Sequence, residues 1–311
     1  MRALLFLITL MATPLVWAIE PLVHPDWLHE RLNDPQVVVL DIRYADDFSV
    51  EDFAAGHVPG SVFQSYRSGW RTTQDGVPGM LPDPNDLAAL VGGLGIGNND
   101  QVVIVSSGAS SSDFGAAARI YWTFKVLGHD QVGILNGGFA GWQQAGLPEA
   151  TGAPLPRATT PFAVDFQPQW IATAEDVTGA EAAGVQLVDA RPLDFFFGRQ
   201  QSPAARVAGT IPGSLSLPED ELIVAEGDVY FLTRERLLAL MDEAAVKYDT
   251  GGTITFCNTG HWAATDWFAL SEIAGLDNVA MYDGSMADWT ADENRPVQTE
   301  RRGLGRFLNF F

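Results

Sequence analysis

Two halves of the chain repeat one another in order, and this limits the fold more than any single motif does. Val37 to Leu40 is a continuous apolar run ending in Asp41-Ile42-Arg43, and Val185 to Val188 ends in Asp189-Ala190-Arg191. Gly56-His57-Val58-Pro59-Gly60-Ser61 follows the first run, and Gly209-Thr210-Ile211-Pro212-Gly213-Ser214 follows the second. Val102 to Val105 then leads into a small-residue loop, Ser106 to Ser112, and a helical stretch from Ala116 to Leu127 closed by Gly128. Thr253 to Phe256, a loop beginning at Cys257, and a helical stretch from Ala263 to Ala274 closed by Gly275 match that order. Asn136-Gly137-Gly138 with Trp142 answers Asp283-Gly284-Ser285 with Trp289. The offset is 148 positions from Asp41 to Asp189 and 147 from Asn136 to Asp283. Ordered matches at a near-constant offset identify two copies of one fold.

Each copy alternates short apolar strands with helical stretches, which predicts an α/β architecture with a mainly parallel sheet. The expected organisation is a first domain over 19–149, a proline-rich linker over 150–168, a second domain over 169–300 and a tail over 301–311. Gly92 to Gly97 has a G-x-G-like spacing, but it precedes a strand and so reads as a helix end and loop, not a nucleotide-binding turn. In parallel α/β sheets the site is built at the C-terminal strand ends. Asp189-Ala190-Arg191 and Cys257 both fall there.

Charge narrows the partners. The net charge is −21, with 39 acidic against 18 basic residues, which excludes nucleic acid and anionic membranes as expected partners. At the N-terminus, Arg2, the apolar run Ala3 to Leu10 and Val16-Trp17-Ala18 read as a secretory signal peptide over 1–18. That predicts a periplasmic or secreted protein without stable membrane insertion. Export favours disulfides, yet Cys257 is the only cysteine. An unpaired thiol between a strand end and a helix start meets loop N–H groups and the positive helix end, which favour a thiolate. Cys257 is therefore the candidate nucleophile.

Together, the repeated D-x-R, the G-H/T-V/I-P-G-S elements, the paired W-containing elements and a cysteine loop in the second copy only resemble the tandem rhodanese (sulfurtransferase) family. The resemblance covers nearly the whole mature chain. It implies two rhodanese-like α/β domains, each a mainly parallel sheet flanked by helices. The first would be inactive, with Ser106 where the second has Cys257. It further implies sulfane-sulfur transfer from an anionic donor, thiosulfate first and 3-mercaptopyruvate next, to a thiol or cyanide-like acceptor. A Cys257 persulfide would carry the sulfur, with no cofactor and no metal. The five-residue loop Asn258-Thr259-Gly260-His261-Trp262 would surround the terminal sulfur as an oxyanion hole surrounds oxygen. Gly260 fits a positive-φ position in that curl. Arg191 would bind the donor through its fork of N–H groups, or pair structurally with Asp189. His57 sits where mercaptopyruvate-type relatives place a histidine near the site. His261 either tunes the thiolate, senses pH or faces solvent, and Trp262 either walls the pocket or packs on the first domain. The loop departs from the best-known patterns, because Asn258 and Thr259 are neutral and His261 and Trp262 are bulky. Two other classes compete: a persulfide carrier without turnover, and a cysteine phosphatase. The phosphatase needs an arginine six positions after the cysteine, where this chain has Ala263.

Overall fold

A computed structural model describes residues 19–44, 48–227 and 229–299. The expected signal peptide and tail lie outside the described residues. The first copy comprises β1 (Leu22–Val23), α1 (Pro25–Arg31), β2 (Val37–Asp41), α2 (Val50–Ala55), β3 (Val62–Phe63), β4 (Thr72–Gln74), β5 (Val77–Met80), α3 (Pro84–Gly93), β6 (Gln101–Val105), α4 (Ser111–Val126), β7 (Val132–Leu135) and α5 (Gly138–Gln144). The second comprises β8 (Ile171–Ala172), α6 (Ala174–Ala183), β9 (Val185–Asp189), α7 (Leu193–Phe196), β10 (Leu215–Ser216), α8 (Glu219–Leu222), β11 (Ile223–Glu226), β12 (Val229–Leu232), α9 (Arg234–Glu243), β13 (Gly252–Phe256), α10 (Trp262–Phe268), β14 (Val279–Tyr282) and α11 (Ser285–Trp289).

The two main sheets run β1-β7-β6-β2-β3 and β8-β14-β13-β9-β10, the same order strand for strand. All their pairings are parallel. Helices cover both faces of such sheets, which is why the central strands are continuous apolar runs. Every residue of β2 and of β13 is buried. The repeat extends to single bonds. Trp142 Nε1 donates to Pro148 O at 2.9 Å, and Trp289 Nε1 donates to Pro296 O at the same distance.

α4 begins five residues before the expected helical stretch. Ser110 caps it by accepting from Asp113 N, a Ser-x-x-Asp signal that satisfies an otherwise orphaned helix donor. Ser111 and Ser112 are therefore helical. α10 begins at Trp262 and passes into a π-helical turn over Ala269–Ala274, ended by Gly275 at φ 81°. Such turns are rare and concentrate near functional sites.

α4 and α10 pack against each other and join the domains. Phe114 and Tyr121 of α4 meet Phe268 of α10 edge-on at 5.7 and 4.8 Å, contacts worth about 1 kcal/mol each beyond area burial. One hydrophobic cluster runs from Val38 and Trp122 in the first domain to Trp267 and Cys257 in the second. The linker lies along the first domain: Thr160 N donates to Gly92 O and Asp165 N to Leu127 O. Ala150, at its expected start, still pairs with His57.

Each domain also sends a hairpin across the boundary, β4–β5 from the first and β11–β12 from the second. Leu232 N donates to Asn136 Oδ1 at 3.1 Å, and Leu81 N donates to Asp283 Oδ2 at 2.7 Å. Asn136 and Asp283 are repeat equivalents, so each hairpin docks beside the loop after the other domain's equivalent strand.

Candidate active site

The loop after β13 carries Cys257, which is 1% exposed. It curls because three neighbours hold its backbone. Ser285 Oγ accepts from Cys257 N at 3.0 Å and Gly260 N at 3.1 Å, and donates to Tyr282 O. Met286 N donates to Cys257 O, and Ala287 N to Asn258 O. The first repeat has the same frame, with Phe139 N on Ser106 O and Ala140 N on Ser107 O. Gly260 adopts φ 73°, and a Cβ there would sit 2.5 Å from Arg119 Nη1 and 2.7 Å from Asp283 Oδ1. Only glycine suits that backbone and that space. Among the described residues, the N–H groups of Asn258, Thr259, His261 and Trp262 find no acceptor. They are the loop donors left for a ligand.

The first domain fastens this loop from the other side. Arg119, on α4 and fully buried, donates from Nη1 to Gly260 O at 3.1 Å and to Asp283 Oδ1 at 2.5 Å, and from Nη2 to Gly79 O at 3.2 Å. Arg71 donates from Nη2 to Thr259 O at 2.5 Å and from Nε to Gly79 O at 3.1 Å. His261 Nδ1 lies 2.7 Å from Tyr66 Oη, and Nε2 lies 3.1 Å from Ser112 O and 2.9 Å from Ser112 Oγ. A carbonyl only accepts, so Nε2 carries the proton, Nδ1 is the acceptor and the Tyr66 hydroxyl donates. Burial and the nearby Arg71 push the His261 pKa down to about 3. The imidazole is therefore a neutral link between the domains at physiological pH. Both ring nitrogens are engaged by the first domain and are not turned to solvent.

These groups enclose a cavity of about 410 Å³ lined by Tyr44, Tyr66, Arg67, Arg71, Ser112, Ser202, Cys257, Asn258, Thr259, His261 and Trp262. The cysteine, Asn258, Thr259, His261 and Trp262 thus come together as the sequence suggested. Trp262 walls the cavity and packs edge-on against Phe195 of its own domain at 5.9 Å.

Three residues are placed elsewhere, and their sequence reading is corrected. Arg191 does not line the cavity. Its Nε donates to Asp189 Oδ1 at 2.8 Å, and its Nη2 donates to Asp189 Oδ2 at 2.6 Å and Gly209 O at 2.8 Å. Nη1 reaches Asn258 Oδ1 only at 3.5 Å. The first repeat supplies the control: Arg43 makes the same pair with Asp41 and donates to Gly56 O at 2.7 Å. A motif built identically beside a serine loop and a cysteine loop serves the shared fold, so Asp189 and Arg191 brace the strand end. His57 does not line the cavity either: its Nδ1 contacts Phe53 O at 3.0 Å and its ring stacks on Phe53 at 4.0 Å. Thr210, its equivalent, holds Asp189 Oδ2 from the matching position.

Tyr66, Arg71, Ser112, Arg119 and Ser285 were not expected at the site. Ser285 alone carried a signal, standing where the first repeat has Gly138. Both adopt a left-handed backbone, at φ 50° and 57°. A non-glycine residue in that conformation marks strain retained for a purpose, here the two anchored N–H groups.

Among the described residues, α10 buries Asp266 with neither carboxylate oxygen bonded, and Glu219 Oε2 is likewise unpartnered. Burial, with Glu219, Asp189 and Cys257 nearby, raises the Asp266 pKa well above 3.8. Burial and Asp220 push Glu219 up to about 8. An unpaired buried carboxylate is held neutral because ionising it in a low-dielectric interior costs several kcal/mol.

The rhodanese-like domain family matches residues 24–145 and 173–292. The chain is 33% identical over 281 residues to the 3-mercaptopyruvate sulfurtransferase of Escherichia coli K12, covering 88% of this chain and 96% of that protein. It is 30% identical over 286 residues to a putative thiosulfate sulfurtransferase of Mycobacterium bovis, covering 90% and 98%. The crystal structure of SseA from Escherichia coli, a 3-mercaptopyruvate sulfotransferase, superposes with a TM-score of 0.73 at 31% identity, covering 86% of this chain and 99% of that one. With the domain present twice, in matching sheets and beside one cysteine loop, the chain belongs to the rhodanese family and is an enzyme of the thiosulfate/3-mercaptopyruvate sulfurtransferase type.

Proposed function

We propose that Cys257 carries sulfane sulfur as a persulfide, with thiosulfate as the preferred donor and 3-mercaptopyruvate next. The observation that carries this reading is the cysteine in an inter-domain cavity lined by arginine, at the head of a loop with four backbone N–H groups that lack an acceptor among the described residues. The Cys257 thiolate attacks the outer sulfur of thiosulfate. The S–S bond breaks and sulfite leaves with the electron pair. The new terminal sulfur bears the negative charge, which the N–H groups of the loop stabilise. Cyanide or a thiolate then attacks that sulfur, taking it as thiocyanate or a persulfide and returning the Cys257 thiolate. The electrons balance without any outside oxidant.

Relatives named for each donor support an anionic donor without choosing between them. Asn258 and Thr259 add no charge after the cysteine, so recognition of the anion falls to the cavity wall. We favour thiosulfate because a compact oxyanion suits arginine donors from any side. Steady-state kinetics with both donors and cyanide test this: kcat/KM is expected to be higher for thiosulfate, and a higher value for 3-mercaptopyruvate reverses the order. Turnover also separates an enzyme from a carrier, which would load once and stop. Cys257→Ser is expected to abolish transfer from either donor, and full turnover in that variant would refute the mechanism. The signal read at 1–18 adds a periplasmic or secreted location, which N-terminal sequencing of the mature protein checks.

A further inference from the structure

The anion-binding group expected from the sequence, Arg191, is engaged by Asp189 and Gly209 and does not line the cavity. The cations that do line the cavity, Arg67 and Arg71, both come from the segment between β3 and β4 of the cysteine-free repeat. Among the described residues lining it there is no carboxylate. Three other cavities contrast with it. One of about 660 Å³ beside α6 carries Glu175, Glu181 and Asp292; one beside α7 carries Glu221 and Glu243; one beside β5 carries Asp75, Asp83, Asp283 and Asp288. In a chain with 39 acidic residues, a cavity wall of this composition is a local exception to the overall field.

Arg71 is also prepared for a ligand. Nε and Nη2 are fixed on Gly79 O and Thr259 O, while Nη1 has no partner among the described residues. A guanidinium held by two of its nitrogens loses little freedom when the third binds, so its charge-assisted bond is used nearly in full. Arg67 stands over the Tyr44 ring at 5.5 Å, at the same wall.

We propose that Arg71 binds the anionic end of the sulfur donor, so that the cysteine-free repeat supplies the donor specificity of the repeat that carries Cys257. The inference rests on the thiolate reading of Cys257 but not on the identity of the donor. Binding at Arg71 places an oxyanion next to Thr259, two residues from the attacking sulfur. A donor bound there contacts both domains at once.

The test compares alkylation of Cys257 by iodoacetate, an anion, with alkylation by iodoacetamide, its neutral counterpart, in the full-length protein. Wild type is expected to favour iodoacetate relative to a small free thiol. Arg71→Gln also frees Thr259 O, so it is expected to slow both reagents, with iodoacetate slowed about tenfold more than iodoacetamide, the worth of one charge-assisted bond. Arg71→Lys is expected to restore part of the preference, since it keeps the charge and loses the fork. The KM for thiosulfate is expected to rise about tenfold in Arg71→Gln. An unchanged iodoacetate preference in Arg71→Gln overturns the proposal. So does an equal fall for both reagents, which would make Arg71 a support for the loop and nothing more. If wild type shows the anion preference but transfers no sulfur from thiosulfate, the donor reading fails while the anion site stands.

Discussion

Ser285 shows how one side chain organises the reactive loop. Its hydroxyl holds Cys257 N and Gly260 N from a left-handed backbone at φ 50°. Losing both bonds costs about 1–3 kcal/mol, whereas relieving the backbone returns about 1 kcal/mol or more. Ser285→Gly is therefore expected to be the milder change in stability and Ser285→Ala the harsher, by about 1 kcal/mol in chemical denaturation. Both should lower kcat/KM for the donor about tenfold, because both release the loop. Equal stabilities for the two variants would show that the positive φ carries no strain. The Gly138 to Ser285 difference was visible when the repeats were aligned, but its meaning was not. A hydroxyl reads as an anchor only once its distances to two N–H groups are known. Arg191 misled for the converse reason: D-x-R at a strand end looks like a binding site until the twin Arg43–Asp41 pair shows that the fold itself uses it.

Among the elements, α10 follows the reactive loop and carries one group that works against stability. Asp266 is buried with no hydrogen-bond partner among the described residues, and its folded pKa lies well above 3.8. Below pH 3.8 the folded and unfolded chains are both protonated there, and the group has no effect. Above that pH the unfolded chain ionises while the folded chain keeps the proton, so stability falls as pH rises until the folded pKa is reached. Glu219 acts in the same direction between 4.5 and about 8. Asp266→Asn should therefore raise Tm at pH 8 by a few degrees, with the gain shrinking towards pH 4; for a protein this size ~1 kcal/mol moves Tm by about 2–4 °C. A gain equal at both pH values would point to packing, not titration. The strands of both sheets were legible as apolar runs closed by D-x-R, because burial on both faces leaves no other pattern. The start of α4 was missed because its cap, Ser110, sits within a run of serines. The π-helical turn has no local signature, since it depends on what α10 packs against.

Over the whole molecule, two equivalent domains have become unequal through what fills the space above each loop. Tyr230 N donates to Gly108 O at 3.0 Å. The Phe231 ring presses on Gly137 so closely that a Cβ there would lie 2.4 Å away. The hairpin β11–β12 thus stops the loop that starts at Ser106, whereas β4–β5 leaves a cavity over Cys257. Ser106→Ala is expected to leave kcat/KM within about twofold of wild type. Ser106→Cys is expected to gain no second sulfur on exposure to thiosulfate, measured as intact mass. A doubly loaded Ser106→Cys protein would show that the first loop is open. The inter-domain links through Tyr66, Ser112, Arg71 and Arg119 had no sequence signal, since each partner lies more than 100 positions from the loop it holds.

The central claim is that Cys257 forms a persulfide. Mass spectrometry of the protein after incubation with thiosulfate and removal of excess donor tests it most directly. The expected result is the mass of one added sulfur, mapped to the peptide containing Cys257 and removed by cyanide as thiocyanate. Wild-type protein that turns over thiosulfate with Cys257 unmodified throughout, or a Cys257→Ser variant that gains the same mass, would contradict it.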